Sequence, residues 1–284
     1  VRFHTDGAGE LSKSKKLIDT LAMNGTEITT STSDYVFIAN VNSSSEPKSF
    51  KEAMKSPEAD AWWAAILAEY NSLSKMGVWK LVKRPKGVNV LQGRWVLKNK
   101  LGENNEIIRR KARFVARGYQ QTFGVDFFDT FAPVAKMKSI KLILSMVAKD
   151  DLELHQMDFE TAFLNALLKE NIYLEQPEGF HNGDPDMVLM LIKAIYGLKQ
   201  SPNRWNKTID DFLQSLGYHP LKSDLCVYIK RSRTNRLIIL CLYVDDTLSA
   251  FHRDDQEEWF EDKKSIGDAF PIQDLGECNW ILNM

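Results

Sequence analysis

Apolar positions change period several times along the chain. From Ser56 and Pro57 onward they fall at Trp62, Ile66, Tyr70 and Leu73, one face of a helix, with Pro near its start and Gly77 past its end. Three short β segments follow, "VWKLV", "GRWVLKNKL" and "IIRRKARFVARG", with "GENNE" as the turn between the second and third. The helical period returns over residues 137 to 149, and "DLELHQMD" then reads as a short strand. "FETAFLNALLKE" is expected to continue directly from that strand into a helix, with Phe163 and Leu167 at i, i+4 spacing. A strand over "VLMLIKAIYGL", closed by Gly197, leads to a helix opened by Ser201 and Pro202 and stopped by Gly217. "LCVYIKR" and "RLIILCLY" are strands, the second so apolar that it belongs in a sheet centre. "VDDTLSAF" turns that strand back into another, and a charged helix from about Asp254 to Lys264 follows. Strands and helices mixed in this way predict an α+β fold.

Residues 1 to 48 are rich in Ser, Thr and Asn and cannot support a packed core alone, so they are expected to be a linker or disordered tail, with residues 49–284 as the folded domain. Of the 284 residues, 44% are hydrophobic, enough to bury a core. The net charge of -1 hides a segregation: residues 83 to 117 hold eleven Lys or Arg against two acids, so a basic hairpin stands against an acidic remainder. Such a window is either a solvated face or a local polyphosphate or nucleic-acid surface. Cys226, Cys241 and Cys278 show no CxxC spacing and the five His no ligand pattern, which predicts a reducing compartment and no structural zinc. No apolar run reaches the roughly 18 to 20 residues that cross a bilayer, so a soluble chain without a membrane partner is expected. A start at Val1 and an end at Met284 behind "NWILNM" predict a piece of a longer polyprotein.

Asp245 and Asp246 come straight after "RLIILCLYV", at the tip of a strand that should be buried, where unpaired charge is costly. Two adjacent Asp also form turns readily, and Asp158, which ends the strand "LELHQMD", could equally cap a helix. Three carboxylates at neighbouring strand ends would make an oxygen-rich site suited to Mg²⁺, and a pair of ions about 3.5 to 4 Å apart would suit in-line phosphoryl transfer. Lys111 and Arg113 alternate on one face of "KARFV" and could reach a triphosphate as point charge and planar fork, or be plain surface charge. A phosphohydrolase using the same ions with water would need a general base that the sequence does not offer.

The motifs "KARFVARGYQQ", "FAPVAKMKSIKLIL", "LELHQMDFETAFLNA", "IYLEQPEGF", "AIYGLKQSPNRW" and "LYVDD" occur in the order found in copia-class retrotransposon reverse transcriptases, which the chain resembles over about residues 47 to 284. The resemblance implies an RNA-directed DNA polymerase with a right-hand fingers and palm, an antiparallel palm sheet with packed helices, and no thumb within the chain. It implies that Asp158, Asp245 and Asp246 are catalytic and hold two Mg²⁺ ions, with Mn²⁺ as a substitute, and that Val244 lines the metal site through its carbonyl. Lys111 and Arg113 match a triphosphate-gripping strand, with Arg109 and Arg110 as alternates. Phe163 falls where an aromatic blocks a ribose 2′-hydroxyl, and Lys199 resembles a template- and nucleotide-contacting loop. Gly197, which would allow close backbone approach, and Tyr243 are assigned to primer and template. The implied partners are an RNA template, a DNA or tRNA primer, deoxynucleotides, and the integrase and RNase H portions of the polyprotein, in a cytoplasmic particle. The chain departs from the family pattern at Glu160, Ala166 and Asn283, the last in a segment expected to support the primer end. Asn283 and the missing thumb leave open an element fragment that binds nucleic acid without extending a primer.

Overall fold

In the computed structural model the described residues are 27–30, 36–39, 46–102 and 106–278. Strand β1 (Glu27–Thr30) pairs antiparallel with β2 (Val36–Ala39), which no alternation in this Ser/Thr-rich stretch had suggested. The rest of the expected tail, the centre of the "GENNE" turn and Asn283 lie outside the described residues.

The main unit begins with α1 (Phe50–Lys55), whose Ser49 hydroxyl accepts the Glu52 amide while Glu52 accepts the Lys48 amide. This reciprocal cap satisfies two donors that the first turn leaves open. Helix α2 (Ala59–Lys75) buries Trp62, Ile66 and Leu73, three of the four residues the period singled out. Tyr70, the fourth, is half-buried and stacks on Phe180 with ring centroids 3.8 Å apart. Gly77 at φ +64° ends the helix in the left-handed conformation that glycine adopts without strain.

The basic window is a β-hairpin, as its pattern required: β5 (Gly93–Leu101) pairs antiparallel with β6 (Ile107–Ala116), placing Lys98 opposite Lys111 and Val96 opposite Arg113. Ala112, Phe114 and Ala116 on one face of β6 are buried in a core shared with α2. Lys111 and Arg113, at the alternate positions, face the other way. A four-stranded sheet in the order β3, β9, β8, β4 completes this core, built from β3 (Trp79–Lys83), β4 (Val90–Leu91), β8 (Leu167–Leu174) and β9 (Met187–Lys193).

Here one expectation is corrected. "FETAFLNALLKE" is not a helix: Thr161 takes φ +51°, a single 3₁₀ turn covers Ala162–Asn165, and β8 begins at Leu167. Ile172 and Leu174, alternating into the core, pair with Leu191 and Leu189 of β9, and this sheet pairing overrides the i, i+4 coincidence of Phe163 and Leu167.

The second sheet has six strands in the order β10, β11, β12, β13, β7, β14, all antiparallel. They are β7 (Glu153–Phe159), β10 (His219–Leu221), β11 (Asp224–Arg231), β12 (Leu237–Tyr243), β13 (Asp246–Phe251) and β14 (Ile272–Glu277). One face packs on α4 (Ser201–Ser215) and α5 (Gln256–Ala269) through Trp205, Ile209, Leu213, Trp259 and Ile266. The other packs on α3 (Met137–Asp150) through Ile140 and Ile143. "RLIILCLY" is central, as its unbroken apolar run predicted, and the helices on both sides are why it could be apolar on both faces. No helix among the described residues is long and apolar enough to cross a membrane.

Candidate active site

Tyr243 pairs with Asp246, so β12 and β13 are joined by a two-residue turn with Val244 and Asp245 at its tip. Such turns need positive φ, and Val244 supplies it at +62°, a conformation that a β-branched residue occupies only when its surroundings impose it. Two hydrogen bonds do so. The Phe159 amide donates to the Asp245 carbonyl at 2.9 Å, and the Trp205 indole N–H donates to the Val244 carbonyl at 2.8 Å.

Asp158 and Asp246 lie directly opposite each other on β7 and β13, which aims both side chains at the same face of the sheet. Asp158 is therefore a ladder residue and not a helix cap. Burial first, then the charges of Asp245 and Asp246, push the Asp158 carboxyl above the usual carboxylate range. Burial and the Asp245 charge do the same to Asp246, against a 3.4 Å hydrogen bond from Gln156. Among the described residues no Lys, Arg or His forms an ion pair with any of the three. Nor is any group of three or more His, Cys, Asp or Glu among the described residues drawn tightly enough to cage an ion. The donor set is all carboxylate oxygen and mutually repulsive. It fits a hard divalent ion that completes its shell with water and phosphate oxygens, and does not fit a closed protein cage.

Asp158 and Asp245 open into a cleft of about 800 Å³. Its far walls are the Ala61, Ala64, Ala65 and Ala68 side of α2 and the cationic face of β6 with Arg109, Lys111 and Arg113. Lys111 has its ammonium pKa lowered by burial and by the neighbouring Arg113 and Lys100 charges. The Arg113 guanidinium lies 5.0 Å from the centre of the Tyr196 ring. Arg110 also reaches the cleft but is committed elsewhere, paired with Glu58 and set 5.5 Å over Trp62.

Of the remaining expected site residues, Phe163 meets Tyr196 edge to face at 4.9 Å and lines a second, apolar cavity of about 350 Å³ together with Trp205 and Val244. Val244 thus faces that cavity, and its carbonyl, expected at the metal, accepts the Trp205 N–H. Gly197, at φ +93°, lies so close to the Ala116 carbonyl that a Cβ would sit 2.1 Å from it. Lys199 is exposed, its ammonium 4.3 Å over the Phe127 ring and its amide bonded to Gln121. Tyr243 is half-buried against the α3 side of the sheet.

Three contributors had not been singled out. Tyr196 and Trp205 lie inside the quoted "AIYGLKQSPNRW", but nothing in their spacing says that one ring underlies Arg113 and the other grips the turn. Glu69, raised in pKa mainly by burial, accepts the Phe114 amide and faces Arg113 and Lys111. An acid among the alanines of an otherwise small-residue helix face was its only signal.

Residues 76–284 match the family model described as reverse transcriptase (RNA-dependent DNA polymerase). The chain is 43% identical over 252 residues to the retrovirus-related Pol polyprotein from transposon TNT 1-94 of Nicotiana tabacum, covering 88% of this chain and 19% of that protein. The Pol polyproteins of transposons RE2 and RE1 of Arabidopsis thaliana are 35% identical over 216 residues and 30% identical over 252, covering 75% and 88% of this chain and 15% and 17% of theirs. The chain spans about a fifth or less of the length of these relatives. On the motif order, the matched span and these identities together, the chain belongs to the reverse transcriptase family, among the Pol polyproteins of copia-class retrotransposons.

Proposed function

We propose that residues 49–284 form the fingers and palm of an RNA-directed DNA polymerase, and that a primer is extended in the cleft beside the Val244–Asp245 turn. The observation that carries this reading is a single cleft holding two acceptor carboxylates, Asp158 and Asp245, across from the cations Lys111 and Arg113. In this reading the β5–β6 hairpin with α2 is the fingers and the six-stranded sheet is the palm. Asp158, Asp245 and Asp246 hold two divalent ions, Mg²⁺ or in its place Mn²⁺. Bound there, such ions supply charge neutralisation for in-line transfer of a nucleotide to a primer 3′-hydroxyl.

The chain's own groups position the reactants. Arg113 presents a planar fork and Lys111 a point charge to the triphosphate, and the Tyr196 ring fixes the plane of the Arg113 guanidinium. Burial, and then the Arg113 and Lys100 charges, lower the Lys111 pKa, and a polyanion beside these cations relieves their mutual repulsion, which favours triphosphate over neutral ligands. Phe163 lines the apolar cavity and not the cleft, but it backs Tyr196, which does line the cleft, and through that contact it is the residue that excludes a ribose 2′-hydroxyl and selects deoxynucleotides. Lys199 and Gly197 serve the template side and Tyr243 the primer end. An RNA template, a DNA or tRNA primer and the integrase and RNase H portions of Pol are the partners.

The test is deoxynucleotide incorporation on poly(rA)/oligo(dT) with Mg²⁺, in this chain, in a version carrying flanking Pol sequence, and in Asp245→Asn of each. Template-dependent extension that disappears in Asp245→Asn is the expected result. Extension that survives Asp245→Asn overturns the metal assignment, and duplex binding without extension in either length overturns the polymerase reading.

A further inference from the structure

The catalytic hairpin is held from behind, and the residue that holds it touches none of the charges. Val244 occupies a left-handed conformation at φ +62°, unfavourable for a β-branched side chain, and without that turn Asp245 would not project into the cleft. The Trp205 indole N–H ends on the Val244 carbonyl at 2.8 Å. Trp205 is 2% exposed, and its ring meets Phe159 edge-on at 5.0 Å and Phe270 at 5.5 Å. Phe159 follows Asp158 directly, and its amide donates to the Asp245 carbonyl. One indole therefore ties together the chain after Asp158 and the chain before Asp245.

We propose that Trp205 is a positioning residue for the aspartate cluster: its N–H clamps the Val244 carbonyl, fixes the strained turn, and sets where Asp245 stands relative to Asp158. The proposal deepens the reading of the cleft as the polymerase site and rests on it for its functional meaning. The clamp itself is a property of the hairpin, with or without chemistry.

Trp205 lines the apolar cavity on the Phe163 and Val244 side, whereas Asp158 and Asp245 line the larger cleft. The turn is the wall between them. A donor buried in apolar surroundings has no water to turn to, so its bond to Val244 is retained through the motions that fray an exposed hairpin tip. Phenylalanine at 205 would keep an aromatic ring against Phe159 and Phe270 yet leave the Val244 carbonyl unpaired. Glycine at 244 would adopt the same φ without strain and make the clamp dispensable.

The experiment measures amide hydrogen exchange at Phe159, whose protection depends on the Asp245 carbonyl staying in place. Trp205→Phe is expected to speed exchange at Phe159 about tenfold while the amides of β11 and β12 keep their protection, and Trp205→Phe with Val244→Gly is expected to restore most of it. Should Trp205→Phe unfold, benzothienylalanine at position 205 keeps the bicyclic shape and removes only the donor. Unchanged protection at Phe159 in either single replacement overturns the proposal, as does acceleration spread evenly through β11 and β12, which would mark Trp205 as an ordinary core residue. Mn²⁺ titration of the wild type and Asp245→Asn, read by the paramagnetic resonance of free Mn²⁺, tests the site separately. Equal binding by both would remove the metal reading and leave the clamp standing. If both hold, Trp205→Phe weakens Mn²⁺ binding and Val244→Gly recovers it.

Discussion

Replacing Asp246 with Asn removes one of three like charges gathered at the strand ends while keeping side-chain shape and an oxygen for Gln156 to donate to. Asp246 faces Asp158 directly across the β13–β7 ladder, with Asp245 next in sequence. Like charges at such opposed positions destabilise a sheet by about 0.2 to 1 kcal/mol, and Asp245 adds a second repulsion of the same order. Both groups retain considerable solvent contact, so screening keeps the total near ~1 kcal/mol at low ionic strength. Asp246→Asn in chelator should therefore melt about 2 to 4 °C above the wild type, an unusual outcome for a change in a candidate active site. The pH dependence follows in sign. Folding raises the pKa of Asp158 and Asp246, so the folded chain holds those protons more tightly than the unfolded one. Wild-type stability then falls as pH rises from the ordinary carboxylate pKa through the raised folded values. The variant's advantage is full above that window and shrinks below it. Divalent ions should reverse the order: saturation near 100 times the dissociation constant stabilises the wild type by about 2.7 kcal/mol and the variant by much less. Thermal melts by circular dichroism in chelator, in Mg²⁺ and in Mn²⁺ measure all of this. A variant that melts below the wild type in chelator, or equal gains from Mn²⁺ in both, would refute the account of a repulsive cluster waiting for a cation.

Arg113→Ala removes a charge-assisted fork worth about 1.5 to 3 kcal/mol, so the KM for deoxynucleotide should rise at least tenfold in steady-state extension with little change in melting temperature. An unchanged KM would move the triphosphate elsewhere. Lys230→Met should cost about 3 kcal/mol in urea unfolding, because Lys230 binds Asp262 at 2.8 Å and Glu258 at 3.3 Å and both buried acids would keep only the Tyr218 hydroxyl, the Arg233 amide and the more distant Arg233 charge. Asp224→Ala should cost about 1 to 2 kcal/mol at neutral pH, since Asp224 takes the Lys136 amide and the Ser139 hydroxyl at the start of α3. Burial opposes ionisation of Asp224, but those hydrogen bonds outweigh it and lower the pKa. The wild-type advantage should thus be present above the ordinary carboxylate pKa and lost as pH falls through the depressed folded value, as paired acid titrations would register.

Where the sequence was legible, one physical signal dominated. The helix over Trp62 to Leu73, the basic hairpin and the apolar β12 each rest on a local period that burial then enforced. Asp158 and the pair Asp245 and Asp246 stood out as carboxylates at the ends of apolar strands, but that signal left a turn or a helix cap equally open, and only the order of the motifs marked them as a candidate site. The misreading at residues 159–170 shows the opposite condition. Phe163 and Leu167 stand four apart, as on a helix, but Leu167–Leu174 found β9, and a pairing with a strand some twenty residues downstream leaves no mark in an eleven-residue window.

The same limit explains what was missed around the turn. Val244 at positive φ is, by local preference, the wrong residue for a two-residue hairpin, and a sequence reader would ask for Asn or Gly there. The rule fails because Trp205, thirty-nine positions away in sequence, supplies from α4 the hydrogen bond that holds the conformation. Glycine would form the turn without strain and without the donor, so it is the valine that makes the placement of Asp245 depend on Trp205. A local rule broken beside a candidate catalytic carboxylate, with its compensation buried in another element, is the arrangement expected where position is kept at a cost in local stability.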